Sequence, residues 1–446
     1  MTRKPQRRKP KPAPQTEAHD TTSATEIGHP AFSQPQPTPD PKKFQITHPS
    51  DGAAYKQIDA LNREHKLAPL PFPAPRGLPE PTLTLADVLG VDAASLQKQI
   101  AANGQIVFHA TGDTGSTRGP ESQNLVADKM VGDFTDDDKQ RPLFFFHLGD
   151  VIYSFGEGQY YYDQFYEPYR DYPAPIIALA GNHDGMVAPG TKATTLAAFL
   201  ENFCATKFAV APEAGGLSRT AQIQPGVFYT FDAPLVRILA LYSNTLEDPG
   251  VIADKNVGQS QIDYLKAALA RVKSEGFKGA LIIAHHHPAY TAGSKHGWSQ
   301  QMVSQIDAVC NATGVWPHAV LSGHAHNYQR CTRLHGQTQI PYIICGNGGH
   351  GLGKLMGAGK AKKGTGTATG NSPLRTPQAL QVTGHADKVT LENYDDQDYG
   401  YLRVIVTAAQ LRIEYHPASD GSGAKTPDDF VTVDLATRKL VHFTGT

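Results

Sequence analysis

Five short apolar runs in this chain end alike. "QIVFHATGD" (105–113), "RPLFFFHLGD" (141–150), "APIIALAGNHD" (174–184), "GALIIAHHHP" (279–288) and "HAVLSGHAH" (318–326) each pass into a glycine or proline turn that carries Asp, Asn or His. Runs this short, rich in Ile, Val, Leu and Phe, read as strands buried on both faces. Windows of helical spacing lie between them, among them "TLAAFLENFC" and "GQSQIDYLKAALARVKSEG". Strands alternating with helices predict an α/β architecture with covered sheets. In such sheets ligands gather beyond the carboxyl ends of the strands, so five polar strand ends predict one polar centre.

The first 81 residues read differently, because they hold sixteen of the 33 prolines, mixed with Gln, Thr, Ser and Lys. Such a stretch buries too little apolar surface to offset its ordering entropy. Residues 1–80 are therefore expected to form a largely extended or disordered tail, ahead of a folded region at 81–446. The tail's basic front (Arg3, Lys4, Arg7, Arg8, Lys9, Lys11) reads as a solvated segment, with contact to an anionic surface as the alternative. "MTRKPQRRKPKPAPQ" lacks the apolar segment of a signal peptide, so no export signal is expected and the default compartment is cytoplasmic. No apolar stretch is long enough for a membrane span. A net charge of −1 gives no basic field for nucleic acid. Cys204, Cys310, Cys331 and Cys345 form no CxxC pair and read as reduced, buried thiols. Residues 399–417 read as a hairpin. "GNGGHGLGKLMGAGKAKKGTGTATGN" (346–371) is Gly-, Lys- and Thr-rich and is expected to be a mobile loop.

The strand ends supply Asp113, Asp150, Asn182, His286, His324 and His326, oxygen and imidazole donors without a thiolate. That palette suits iron, manganese or zinc. Six donors suggest two ions rather than one, and two ions roughly 3.5–4 Å apart can clamp the attacking and leaving oxygens of a displacement at phosphorus.

The order "GDTG" (112–115), "GDVIY" (149–153), "GNHD" (181–184), "IAHH" (283–286) and "GHAH" (323–326) resembles the calcineurin-like metallophosphoesterases. More narrowly it resembles the purple acid phosphatases, whose blocks read GDxG, GDxxY, GNHD/E, VxxH and GHxH. The resemblance covers roughly the central half of the chain, and Ile283 in place of valine is its main departure. It implies a four-layer α/β/β/α sandwich with the metal site at the carboxyl ends of the strands. It also implies Asp113, Tyr153 and His326 on one ion, Asn182, His286 and His324 on the other, and Asp150 bridging. Tyr153 separates this subgroup from relatives that have a histidine two residues after the first Asp, where Gly115 stands here. The implied ions are Fe(III) and a divalent Fe, Zn or Mn.

Within "AHHHP" the resembled block selects His286, followed by one residue and then Pro288. Strand alternation turns His285 and His287 to the opposite face, where they read as supporting or structural. His296 matches a histidine over the substrate in the resembled family, with a surface-loop histidine as the alternative. His183, next to Asn182, is the candidate general acid, and Asp184 either orients its ring or caps the following turn. Tyr328 and Arg330 line the pocket or serve packing and a surface ion pair. The implied activity is hydrolysis of phosphate monoesters of small molecules by metal-bound hydroxide, with a mildly acidic optimum. A phosphodiester or nucleotide substrate on the same centre is the alternative, and a phosphate-binding module without turnover is a third reading. No specific nucleic acid is expected as a partner, and the oligomeric state stays open.

Overall fold

The computed structural model of the protein describes residues 25–26, 28–33, 52–90, 93–135, 137–293, 295–355, 376–421 and 426–441. The five apolar runs become the strands Gln105–Thr111, Phe145–His147, Ile176–Ala178, Ala280–His285 and Ala319–Ser322. The first three lie side by side and parallel in a seven-stranded sheet, continued on the other side of Gln105–Thr111 by the antiparallel strands Gly400–Thr407, Gln410–Pro417, Asp429–Asp434 and Lys439–Leu440. The other two are parallel neighbours in a nine-stranded sheet, between Val236–Leu241 and Thr338–Cys345.

Side-chain alternation along these strands builds the layers. Phe108, Ala110, Phe144, Phe146 and Ile177 of one sheet share a core with Ile282, Ala284 and Leu321 of the other. The intervening residues Phe145, Ile176, Leu281, Ile283 and Val320 face outward onto helices, joining Val126, Phe199, Leu265 and Val303. Phe144 stitches the two sheets directly, stacked 4.7 Å from Phe108 and edge-on 4.8 Å from Phe231. The result is the expected mixed α/β sandwich, two sheets face to face with helices outside. The helix Ser260–Ser274 buries Ile262, Leu265, Leu269 and Val272, one stripe of its surface. Ser299 caps the helix Gln300–Thr313 by accepting from Met302 N, and Gly314 ends it at φ +71.

The tail expectation needs correction from residue 52 onward. Ala53–Arg63 is a helix. Beyond it, the Arg76 guanidinium donates to the carbonyls of Cys204, Ala205, Ile223 and Gln224, and Phe72 packs edge-on against Phe228 and Tyr242. A proline-rich strip needs no regular structure when side chains and single rings anchor it this way. Residues 1–24 and 34–51 lie outside the described residues. So do residues 356–371 of the expected mobile loop, whose preceding part, 346–355, is ordered against the centre described below. The hairpin at 399–417 forms as expected. All four cysteines are buried and unpaired. Among the described residues no helix is long and apolar enough to cross a membrane.

Candidate metal centre

At the carboxyl ends of the five strands the chain turns so sharply that Asp113 (φ +56), Asp150 (φ +54), His324 (φ +69) and His326 (φ +49) all adopt left-handed backbone. Each such residue costs of the order of 1–3 kcal/mol, which the surrounding packing must offset. Glycine makes two of the turns possible. Gly149 sits at φ +93, and a Cβ there would lie 2.6 Å from His286 Nδ1. At Gly181 a Cβ would lie 2.0 Å from Asp150 Oδ1. Only a hydrogen fits at either place.

Backbone amides aim the carboxylates. His324 N donates to Asp113 Oδ2 at 2.7 Å, and His183 N donates to Asp150 Oδ1 at 2.9 Å. Their remaining oxygens converge on one phenol. Tyr153 Oη is 2.9 Å from both Asp113 Oδ1 and Asp150 Oδ2, and 3.2 Å from His326 Nε2. His326 Nε2 is itself 3.3 Å from Asp113 Oδ1. On the far side of Asp150, His286 Nε2 approaches Oδ2 at 3.1 Å. His286 Nδ1 donates to Leu148 O at 2.8 Å, which turns Nε2 inward as the atom a metal ion would take. His324 Nε2 meets Glu247 O at 2.7 Å, so that Nδ1 faces Asn182 Oδ1 at 3.1 Å. The structure thus brings all seven sequence-derived candidates together, in two groups joined by Asp150.

The electrostatics ask for a cation. Burial would raise the Asp150 carboxyl, but His286 and His183 outweigh it and hold the group well below the usual carboxylate range. Burial would lower His286, yet Asp150 and Asp113 push it up to about 10. Burial, with His286 adding to it, takes His324 down to about 3, so it offers a neutral ring. Burial and the carboxylates of Asp113 and Asp150 drive the Tyr153 phenol far above its ordinary value, so a phenolate here requires a positive ion beside it. Among the described residues, His286 Nε2 and Asn182 Nδ2 are buried without a hydrogen-bond partner. Asp150, His286 and His324 offer ligand atoms within 4.8 Å of one another. Carboxylate, phenol, amide and imidazole groups in this arrangement fit hard or borderline metal ions.

The other candidates divide. His183 donates Nδ1–H to Ser154 O at 2.7 Å, leaving Nε2 at the mouth, 3.5 Å from Glu247 Oε1. His296 is half-buried, its ring 4.3 Å from that of His324 and 5.1 Å from that of His326. Asp184 takes the capping alternative and does not orient His183. Its carboxylate accepts from Gly181 N, Val151 N and Ile152 N, a role in holding backbone and not in catalysis. His285 and His287 bond internally, to His287 O and to Ser243 and Leu246 O. Tyr328 and Arg330 both bind Asp429 rather than lining the centre.

Four neighbours escaped the sequence reading. Glu247 follows another apolar strand, Val236–Leu241, and that strand end was a usable signal. Asp248 joins His296 and His324 in a second potential ligand group. His350 stacks on Tyr153 at 3.5 Å from within a glycine-rich stretch. Tyr55, from the helix Ala53–Arg63, donates to Glu247 Oε1 at 2.9 Å. Nothing in the composition around Tyr55 or His350 marks either residue.

A family model described as calcineurin-like phosphoesterase matches residues 106–328, half of the 446-residue chain. No curated protein matches. A solved structure described as "Structure of PhoD" aligns over 77% of this chain and 72% of its own, with 14% identity and a TM-score of 0.43. Likeness at that level supports no functional inference.

Burial lowers the affinity of His183 for its proton, but the Asp150 and Glu247 carboxylates more than offset this, so its pKa is raised. Replacing Glu247 by Gln removes a negative charge that favours imidazolium. Ring-nitrogen NMR titration of metal-free protein should therefore show the His183 midpoint moving to lower pH in E247Q. An unmoved midpoint would contradict the coupling.

Proposed function

The chain belongs to the calcineurin-like phosphoesterase family, hence to the metal-dependent phosphohydrolases, and we propose that it cleaves phosphate monoesters at mildly acidic pH with a purple-type iron centre. The observation that carries this reading is the Tyr153 hydroxyl, 2.9 Å from each of two buried carboxylates. A phenol placed there is a ligand for a hard trivalent ion. In this reading Asp113, Tyr153 and His326 hold Fe(III), Asn182, His286 and His324 hold a divalent Fe, Zn or Mn, and Asp150 is shared. When bound, such ions supply positive charge against the phosphoryl oxygens and lower the pKa of water.

The chain's own residues supply the rest. With Nδ1–H tied to Ser154 O, the second proton of a charged His183 sits on Nε2 at the mouth, the position from which to protonate a leaving alkoxide. Glu247 favours that charged form, and Tyr55 holds Glu247 in place. His296, over the rings of His324 and His326, is placed to donate to a phosphoryl oxygen. An imidazolium acid is present below its raised pKa and lost as pH rises through it, which sets the alkaline limb of the pH profile. The carboxylates of Glu247 and Asp248 at the mouth favour a second reading, a phosphodiester substrate, because they repel a dianionic monoester more than a monoanionic diester.

His183→Ala should keep its metals yet lower kcat by roughly two to four orders of magnitude on alkyl phosphates, and much less on 4-nitrophenyl phosphate. Equal losses on both would contradict a leaving-group acid, and wild-type turnover of bis(4-nitrophenyl) phosphate exceeding that of the monoester would move the substrate class to diesters.

Tyr153→Phe tests the iron assignment. Wild-type protein should show a visible phenolate-to-Fe(III) absorption band that the variant lacks while remaining folded. A colourless, fully metal-loaded wild type without iron would overturn the purple-type centre and leave the family assignment intact.

A further inference from the structure

A second polar concavity lies at the opposite end of the same strands. A cleft of about 380 Å³ is lined by Lys273, Lys278, Trp316, His318, His335 and Arg438, among others. Gly279, Leu281 and His318 place it at the amino ends of Ala280–His285 and Ala319–Ser322, whose other ends lead to His286 and His324. A six-residue strand spans about 20 Å, so this cleft is separate from the metal centre.

Its charge is one-sided, with three permanent cations and no carboxylate in the wall. Arg438 is the telling residue. Its Nη2 donates to Trp316 O at 2.6 Å and Pro317 O at 2.7 Å, and its Nη1 lies 3.2 Å from His318 Nε2. Burial takes His318 down to about 4, so that partner stays neutral. Among the described residues, a largely buried guanidinium is therefore met only by dipoles. Nearby acids are already committed. Asp307 pairs with Arg333 through two bonds of 2.8 and 2.6 Å, and Asp387 is shared by Arg333 and His335. Lys273 donates to Thr313 O, and both Lys273 and Lys278 are exposed at the rim without an ion pair among the described residues.

Cations gathered in a concave, low-dielectric wall concentrate anions. With Nη2 of Arg438 held by the two carbonyls, its Nη1 donors and the two rim lysines remain to meet phosphate oxygens, and the volume suits a small molecule. We propose that this cleft binds a small phosphorylated anion at a site distinct from the metal centre.

Methylenediphosphonate is a suitable probe, because its P–C–P link offers no ester to hydrolyse. Calorimetric titration of the full-length, metal-loaded chain should resolve two binding events, one at each site. In Lys273→Ala/Lys278→Ala one event should weaken at least about tenfold, while turnover of phosphate esters stays at the wild-type level. Lys273→Arg/Lys278→Arg should restore it, and Arg438→Gln should lose the same event. A single event in the wild type, or an alanine double variant whose isotherm matches the wild type, would overturn the proposal. Both lysines are exposed, so that comparison does not hinge on a core change.

Discussion

Two fully buried carboxylates, Asp113 and Asp150, share one phenol between them, and the architecture of the centre follows from satisfying that arrangement. A buried carboxylate is tolerable only when it is hydrogen-bonded and faces positive charge. Backbone amides of His324 and His183 meet one oxygen of each. For the other oxygens the chain offers a phenol that cannot ionise unaided and imidazoles, of which burial keeps His324 neutral. His286, raised by the same carboxylates, supplies one positive charge for two negative ones. Metal ions would close that deficit. A metal ion would take the inward Nε2 of His286 in place of the proton that Asp150, 3.1 Å away, favours there.

The sandwich makes this convergence possible. Three parallel strands of one sheet deliver Asp113, Asp150 and Asn182, and two parallel strands of the other deliver His286, His324 and His326. Alternating side chains glue the sheets together between them, so both sets of strand ends emerge at the same rim. Four left-handed residues other than glycine sit at these ends. Strain of that kind persists when the surrounding core overdetermines the backbone, and here it turns side chains inward that an ordinary strand exit would send to solvent. The two strands that lead to His286, His324 and His326 begin, at the other end, beside the basic cleft. One layer of strands thus presents opposite electrostatic characters at its two rims.

Much of this was legible because local and global signals agreed. The five apolar runs had to be strands, and their Gly-Asp, Gly-Asn and Gly-His exits had to be tight turns. The periodicity of two separated His286 from His285 and His287, and the structure gives those neighbours internal hydrogen bonds. What stayed hidden was contributed by segments without periodicity. Tyr55 reaches the mouth from a proline-rich region whose order comes from long-range anchors such as Arg76 and Phe72. His350 approaches Tyr153 from a glycine-rich stretch whose composition reads as loose. Asp184 shows the reverse limit: its position beside His183 in sequence suggested partnership, but a tight turn sends adjacent side chains to different sides, and its carboxylate caps backbone instead.

In the centre we propose, Asp150 joins two metal ions. Elemental analysis of purified wild type and Asp150→Asn, each freed of loosely bound metal by chelator and dialysis, tests it most directly. The wild type should retain two ions per chain. The asparagine variant, with a weaker and uncharged bridging group, should retain neither in stoichiometric amount while keeping a folded circular-dichroism spectrum. A wild type that holds one ion or none, or a variant that still holds two, would rule out Asp150 as a bridge between two ions.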